Sequence, residues 1–272
     1  MGAAQTQSNR LSRDDFKVMD GNKKYNLDGS VNRSHPNKVK GKSSEVYAFR
    51  TEEEIEAMVN VFNKHIQESS GVRRKIACRN KLMFIIGISV GLRASDLRVL
   101  KWSRFFDENG DKVEKSNVMP KKTQKEKKYV PIFLTDLMEK AINNYINEYP
   151  IEDYDTYLFV SRKNTGRDRV GDQDVPDING NMPIAEKSIL KILKDTAKEA
   201  GIKQNIGSHS LRKTFGYSIY HKAENKTDAV IRLQRLFNHS KPSITEKYIG
   251  ITDDELEETV KSLDFGLNLF DF

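Results

Sequence analysis

The chain has 272 residues, of which 37% are hydrophobic and 31% charged, enough for one substantial core with an appendage or for two modest domains. Its single cysteine, Cys78, excludes an intrachain disulfide framework, and no Cys/His spacing suggests a zinc site. There is no apolar leader, and the longest apolar run, 82–90, is too short to span a bilayer, so a cytoplasmic protein without a membrane segment is expected.

Net charge is +7, distributed as +5 over residues 1–50, +8 over 51–250 and −6 over 251–272. A basic body with a basic arm and an acidic tail suits a polyanionic partner, although surplus lysines also serve simply to solvate a surface.

Residues 1–45 are rich in Asn, Lys, Ser and Gly and bury too little to fold alone, so they read as a flexible basic arm or linker. At Thr51 the character changes. A cap, three glutamates and capping-box spacing to Glu54 start a helix, with Ile55, Met58, Val59 and Phe62 on one stripe. A second helix over 73–90, apolar nearly all round, is expected to be central and buried, with Gly91 as its left-handed stop. Arg93 follows, and a short helix begins near Ser95 and Asp96. An arginine beside a helix N-terminus favours an anion, and Asp96 would orient it.

From 102 to 133 the pattern turns to a small antiparallel sheet, with a turn at Asn109–Gly110, a strand near 113–118 and another through 129–132. The tip between the last two is PKKTQKEKK. A Thr-capped amphipathic helix occupies 135–149, 158–160 reads as a short buried strand, and 161–182 as a polar loop. The next helix, 183–200, turns Ile189, Ile192, Leu193 and Ala197 inward and Lys187, Lys191, Lys194 and Lys198 outward, and Gly201 closes it.

The stretch 205–250 concentrates the chemistry. His209 and Arg212 stand three apart and share a helix face. Thr227 caps a helix carrying Val230, Ile231, Leu233, Leu236 and Phe237. Asn238 and His239 end it, and Pro242, Ser243 and Glu246 start another that carries Tyr248. Singly, each has a plain reading: a cap, an ion-pair partner, a core histidine, a half-buried aromatic. Together, two imidazoles, a phenol and a guanidinium, with Arg93 as a second clamp, form a candidate site for attack on a phosphodiester.

This order, G-L-R at Arg93 and then H-x-x-R, H and Y at His209, Arg212, His239 and Tyr248, resembles the tyrosine recombinases of the phage integrase family over residues 50–250. The resemblance implies an α+β catalytic domain at 46–250, mainly helical with a small antiparallel sheet. It also implies a metal-independent DNA strand transferase acting on double-stranded DNA with inverted-repeat sites, as a homotetramer. Tyr248 would be the nucleophile, Arg93 and Arg212 the phosphate clamps, and His209 and His239 hydrogen-bonding partners. A lysine on the hairpin would be the general acid, with Lys122 the best match in its K-T pair and Lys121 and Lys125 as alternatives. Lys121, Lys125, Lys191, Lys194 and Lys213 are candidate DNA contacts.

The same cleavage chemistry serves type IB topoisomerases and telomere resolvases, and a DNA-binding regulator could keep the fold without it. Two departures stand out. Where the family usually has L-G-H, this chain has Phe237, Asn238 and His239, and asparagine tolerates left-handed backbone. Only some 45 residues of arm precede the catalytic unit, where the family usually carries a core-binding domain, so the chain reads as a catalytic fragment or a compact member. The tail, 251–272, reads as an acidic helix followed by an apolar end, expected to dock on a neighbouring protomer.

Overall fold

The computed structural model describes residues 45–161, 169–170, 173–174 and 182–249. The expected arm over 1–45, all but its last residue, and the tail helix at 251–272 lie outside these residues. The described residues from 46 onward belong to one compact unit. Among them, no helix is long and apolar enough to cross a membrane.

α1 (Glu52–Gln67) starts where Thr51 Oγ1 accepts the Glu54 N–H at 3.2 Å. Glu54 reaches back to the Arg50 N–H, one residue before the cap. α2 (Gly71–Val90) is the central helix, packing against α1, α4 (Asp136–Glu148) and α6 (Ser210–Lys222). Met83, Phe84 and Ile86 are fully buried. The Phe84 ring lies 5.4 Å from Phe49 and 5.6 Å from Phe62, centroid to centroid. Truncating such a ring to alanine costs about 3–5 kcal/mol through lost transfer energy and the cavity left behind. Gly87 allows α6 to come close, since a Cβ there would meet Leu211 Cδ1 at 2.6 Å.

Gly91 ends α2 with φ +61, the left-handed stop its position implied. The chain turns through buried Leu92 into α3 (Ala94–Leu97).

The sheet is smaller than the sequence suggested. β1 (Lys115–Val118) and β2 (Val130–Phe133) pair antiparallel with Val118 opposite Val130. Trp102–Arg104 is a 3-10 turn rather than a strand, closed by the Phe105 N–H on Trp102 O, while the N–H groups of Trp102 and Ser103 donate to carbonyls of Thr156 and Tyr154. Phe106 and Lys112 retain one isolated bridge across the Asn109–Gly110 turn. The buried segment 158–160 is extended but not a regular strand. Leu158 donates to Leu100 while Phe159 accepts from Ile184, so its ladder is shared between two partners. Within the expected polar loop, β3 (Arg169–Val170) pairs with β4 (Gln173–Asp174).

α5 (Glu186–Glu199) buries Ile189, Leu193 and Ala197 as expected. α7 (Lys226–Phe237) is capped by Asn225, whose Oδ1 accepts from the Asp228 N–H, and not by Thr227. The buried face holds Ala229, Leu233 and Phe237, one turn apart, and Ile231 lies on the far side, 46% exposed. α8 (Pro242–Ile249) packs against α6 and α7 over a second small cluster of Leu233, Phe237 and Ile249.

Candidate active site

Arg212 is the floor of the site. It lies in the first turn of α6, is 1% exposed, and donates to Gly91 O at 2.7 Å and Phe237 O at 3.0 Å. Both carbonyls stand at helix C-terminal ends, where partners are missing and the macrodipole favours a cation. One guanidinium therefore satisfies the ends of α2 and α7 together. Its plane also lies over the Phe237 ring, 4.0 Å from the centroid. Desolvation first, then the charge of Arg93, lowers its pKa to about 10, which still leaves it protonated at neutral pH.

Arg93 precedes α3 and is only half-buried. Among the described residues its side chain makes no hydrogen bond or ion pair, although its charge reaches Asp96, His209, Arg212 and His239. Among the described residues no hydrogen bond or ion pair joins Arg93 to Asp96, although the Arg93 charge is felt there. Asp96 Oδ1 instead accepts the backbone N–H of Lys121 at 3.0 Å, and Oδ2 is buried without a partner. The physical reason is reach. Asp96 is 3% exposed beneath the hairpin tip, where a main-chain donor meets it directly. Burial raises its pKa, against the pull of the Lys121 N–H and of Arg93.

The hairpin tip is a 3-10 helix, Lys121–Glu126, closed by Lys127 at φ +51. Lys122 is exposed upon it and lies near enough to His239 to help depress its pKa. Lys121 and Lys125 are exposed on the same short helix. Lys191 is exposed on α5 and pairs with Asp195 at 2.6 Å, and Lys194 is exposed one turn along. Lys213 follows Arg212 and adds its charge to those facing His209.

The turn after α7 resolves the departure at Asn238. Its φ of +51 and ψ of +43 place it in the left-handed region, its N–H bonds back to Arg235 O, and the His239 N–H bonds to Gln234 O. That is a Schellman motif with asparagine in glycine's place. It aims the His239 ring at Arg212, with Nε2 3.3 Å from a guanidinium nitrogen. Nδ1 lies 3.0 Å from Thr245 Oγ1, a contact sequence reasoning did not find. The available signal was spacing, since Thr245 stands one helical turn before Tyr248. Burial, then Arg212, Arg93 and Lys122, lower His239 to about 4.

Tyr248 lies in the second turn of α8, with its ring 5.2 Å from His239 and its hydroxyl 3.3 Å from His209 Nδ1. His209 is the N-cap residue of α6 but makes no side-chain cap bond, so its ring is free for Tyr248. Desolvation first, with Arg212 and Arg93 next, lowers its pKa and so favours the neutral ring, the form able to take a proton. Gly216 makes room for this helix. A Cβ there would come within 3.2 Å of Phe237 ring atoms and of the Tyr248 carbonyl.

The structure thus brings Arg93, Asp96, Lys122, His209, Arg212, His239 and Tyr248 to one face formed by the α2–α3 corner, the hairpin tip, α6 and α8. Two guanidiniums, two neutral imidazoles, an ammonium and a phenol around an open face can bind an anionic ester, stabilise added charge and move protons.

Residues 48–255 match the model of the phage integrase family. A probable integrase/recombinase of Bacillus subtilis, YoeC, is 29% identical over 201 residues, which are 73% of this chain and 93% of that protein. Tyrosine recombinase XerH of Campylobacter jejuni is 25% identical over 66% of this chain and 43% of its own length. A tyrosine recombinase of Thermosipho africanus is 23% identical over 79% of this chain, and 61% of that protein is covered. Among solved structures, XerA recombinase superposes with a TM-score of 0.54 at 18% identity, covering 83% of this chain and 68% of its own. XerH in a post-cleavage complex gives 0.53 at 20%, covering 80% and 54%. These are likenesses of fold: a mainly helical unit with a small antiparallel sheet. With most of its length matched by one family model, the chain belongs to the phage integrase family.

Proposed function

We propose that this chain is a site-specific DNA recombinase that cuts and rejoins duplex DNA through a 3′-phosphotyrosine intermediate. The observation that carries the reading is the approach of the Tyr248 hydroxyl to His209 Nδ1 at 3.3 Å, beside a buried guanidinium. A phosphodiester resists attack because its charged oxygens repel nucleophiles and its alkoxide is a poor leaving group. Arg212 and Arg93 would offset charge on the non-bridging oxygens as the pentacoordinate state forms. His209 would take the proton as Tyr248 Oη bonds to phosphorus, and Lys122 would give one to the departing 5′ oxygen. The phosphotyrosine keeps the bond energy, so a 5′ hydroxyl of a second strand can reseal it.

The partner in this reading is double-stranded DNA. Lys121, Lys125, Lys191, Lys194 and Lys213 are the proposed backbone contacts, and their exposure supports this for the first four. Inverted-repeat sites are supported by the palindromic substrate named for the XerH complex. Four protomers around two sites, coupled by segment 251–272, complete the proposal, with 46–250 as the cleaving unit.

The test is covalent trapping. Incubated with a nicked duplex carrying its site, the protein should form a denaturant-stable adduct, and Tyr248→Phe should form none. A surviving adduct in that variant would overturn the assignment and direct attention to Tyr217 or Tyr220.

A further inference from the structure

Thr245 is fully buried on α8, and its hydroxyl lies 3.0 Å from His239 Nδ1. Across the ring, Nε2 lies 3.3 Å from Arg212. A guanidinium only donates. In the free protein Nε2 is therefore the acceptor, the ring hydrogen sits on Nδ1, and Thr245 Oγ1 accepts it. The surroundings keep the ring neutral, since desolvation and three cations oppose a second proton.

A phosphodiester asks the opposite of Nε2. Its oxygens only accept, so a ring that is to hold one must present N–H. Gaining a proton is disfavoured by the same cations. The neutral alternative is for one hydrogen to leave Nδ1 and one to arrive at Nε2 through solvent at the half-exposed ring, with ring charge unchanged. Nδ1 then holds a lone pair that needs a donor. A backbone carbonyl or a carboxylate could not supply one, whereas a hydroxyl can both accept and donate.

We propose that Thr245 is a positioning residue for strand cleavage: a two-way partner that accepts from His239 in the free protein and donates to it once a phosphodiester occupies the site. The inference rests on the phosphotyrosine reading above. Because Thr245 stands one turn before Tyr248, the same bond also fixes α8 and its phenol against His239.

Thr245→Val keeps the shape and removes the hydroxyl, and Thr245→Ser keeps the hydroxyl. In single-turnover adduct formation on the nicked duplex, Val should slow cleavage about tenfold or more with DNA affinity unchanged, and Ser should stay close to wild type. Equal rates for Val and wild type, or a Ser variant as slow as Val, would overturn the proposal. Nitrogen-15 spectra of labelled histidine read the tautomer without catalysis, so a Val variant that fails to fold leaves the proposal testable. His239 should carry its hydrogen on Nδ1 in the free protein and on Nε2 when Tyr248→Phe protein binds the nicked duplex. Nε2–H in the free protein, or Nδ1–H persisting in the complex, would overturn it. Failure of wild-type protein to form any adduct would instead sink the phosphotyrosine reading, and the free-protein spectrum would still judge the tautomer.

Discussion

Arg212 and Arg93 face the same anion site from opposite structural conditions. Arg212 is sealed under Phe237 and holds two helix ends, whereas Arg93 is half-buried and makes no hydrogen bond among the described residues. The floor of the site is thus shared with the core, and its rim, Arg93 with the exposed tip at Lys122, is held chiefly by the chain it belongs to. The difference teaches that charge placement here has two energetic sources. One is packing, which fixes Arg212 before any ligand arrives. The other is the ligand itself, which must order Arg93 and Lys122.

Substitution of each arginine by lysine tests this division and carries the largest expected effects. Both Arg93→Lys and Arg212→Lys should depress cleavage by about two powers of ten or more, since lysine lacks the planar fork. Only Arg212→Lys should also destabilise the fold, by about 2 kcal/mol or more, because a helix-end carbonyl is left buried without its donor. Arg93→Lys should melt within about 0.5 kcal/mol of wild type. Chemical denaturation beside the cleavage assay separates the two outcomes. Equal destabilisation by both variants would erase the contrast.

A smaller effect sharpens the rim. Replacing the leaving 5′ oxygen by sulfur, which departs without a proton, should restore cleavage to Lys122→Ala. Lys121→Ala should lose less cleavage than Lys122→Ala and should gain nothing from sulfur, because the role proposed for its ammonium is a backbone contact and its main chain still reaches Asp96. Rescue of Lys121→Ala and not of Lys122→Ala would move the general acid by one residue.

The smallest effect concerns Asp96 beneath that rim. Its pKa is raised by burial, so its protonated form is the one the fold prefers. The stability it contributes is complete below the unfolded value of about 3.9 and is lost as pH rises through the folded value. Asn keeps an acceptor for the Lys121 N–H and places an amide where Oδ2 is now unpartnered. Asp96→Asn should therefore melt no lower than wild type at pH 7, and its advantage should shrink at pH 3. A variant that is less stable at pH 7 than at pH 3, relative to wild type, would contradict this.

Much of the frame was legible in sequence because it follows local rules. Thr51 and Thr135 cap as their spacing implied, and Gly91 stops α2 at a left-handed residue. The order of Arg93, His209, Arg212, His239 and Tyr248 was legible as a set, though not how the set is held. Tertiary hydrogen bonding decided the misses. The N–H groups of Trp102 and Ser103 go to carbonyls of Thr156 and Tyr154 and not to the expected sheet, and no local pattern announces that choice. Asn225 caps α7 two residues before Thr227, the cap expected from sequence. Asp96 had a plausible partner three residues away in Arg93, yet a donor 25 residues away reached it first.

The double attachment of Arg212 has a consequence for when this protein can act at all. On the proposed mechanism its guanidinium is a clamp on the scissile phosphate, and the structure holds it in place only while α2, α6 and α7 are together. A nascent, partly opened or misassembled chain lacks that clamp even if Tyr248 is free in solution. The feature therefore works as an interlock: a chain able to break DNA becomes competent to do so only after it has folded.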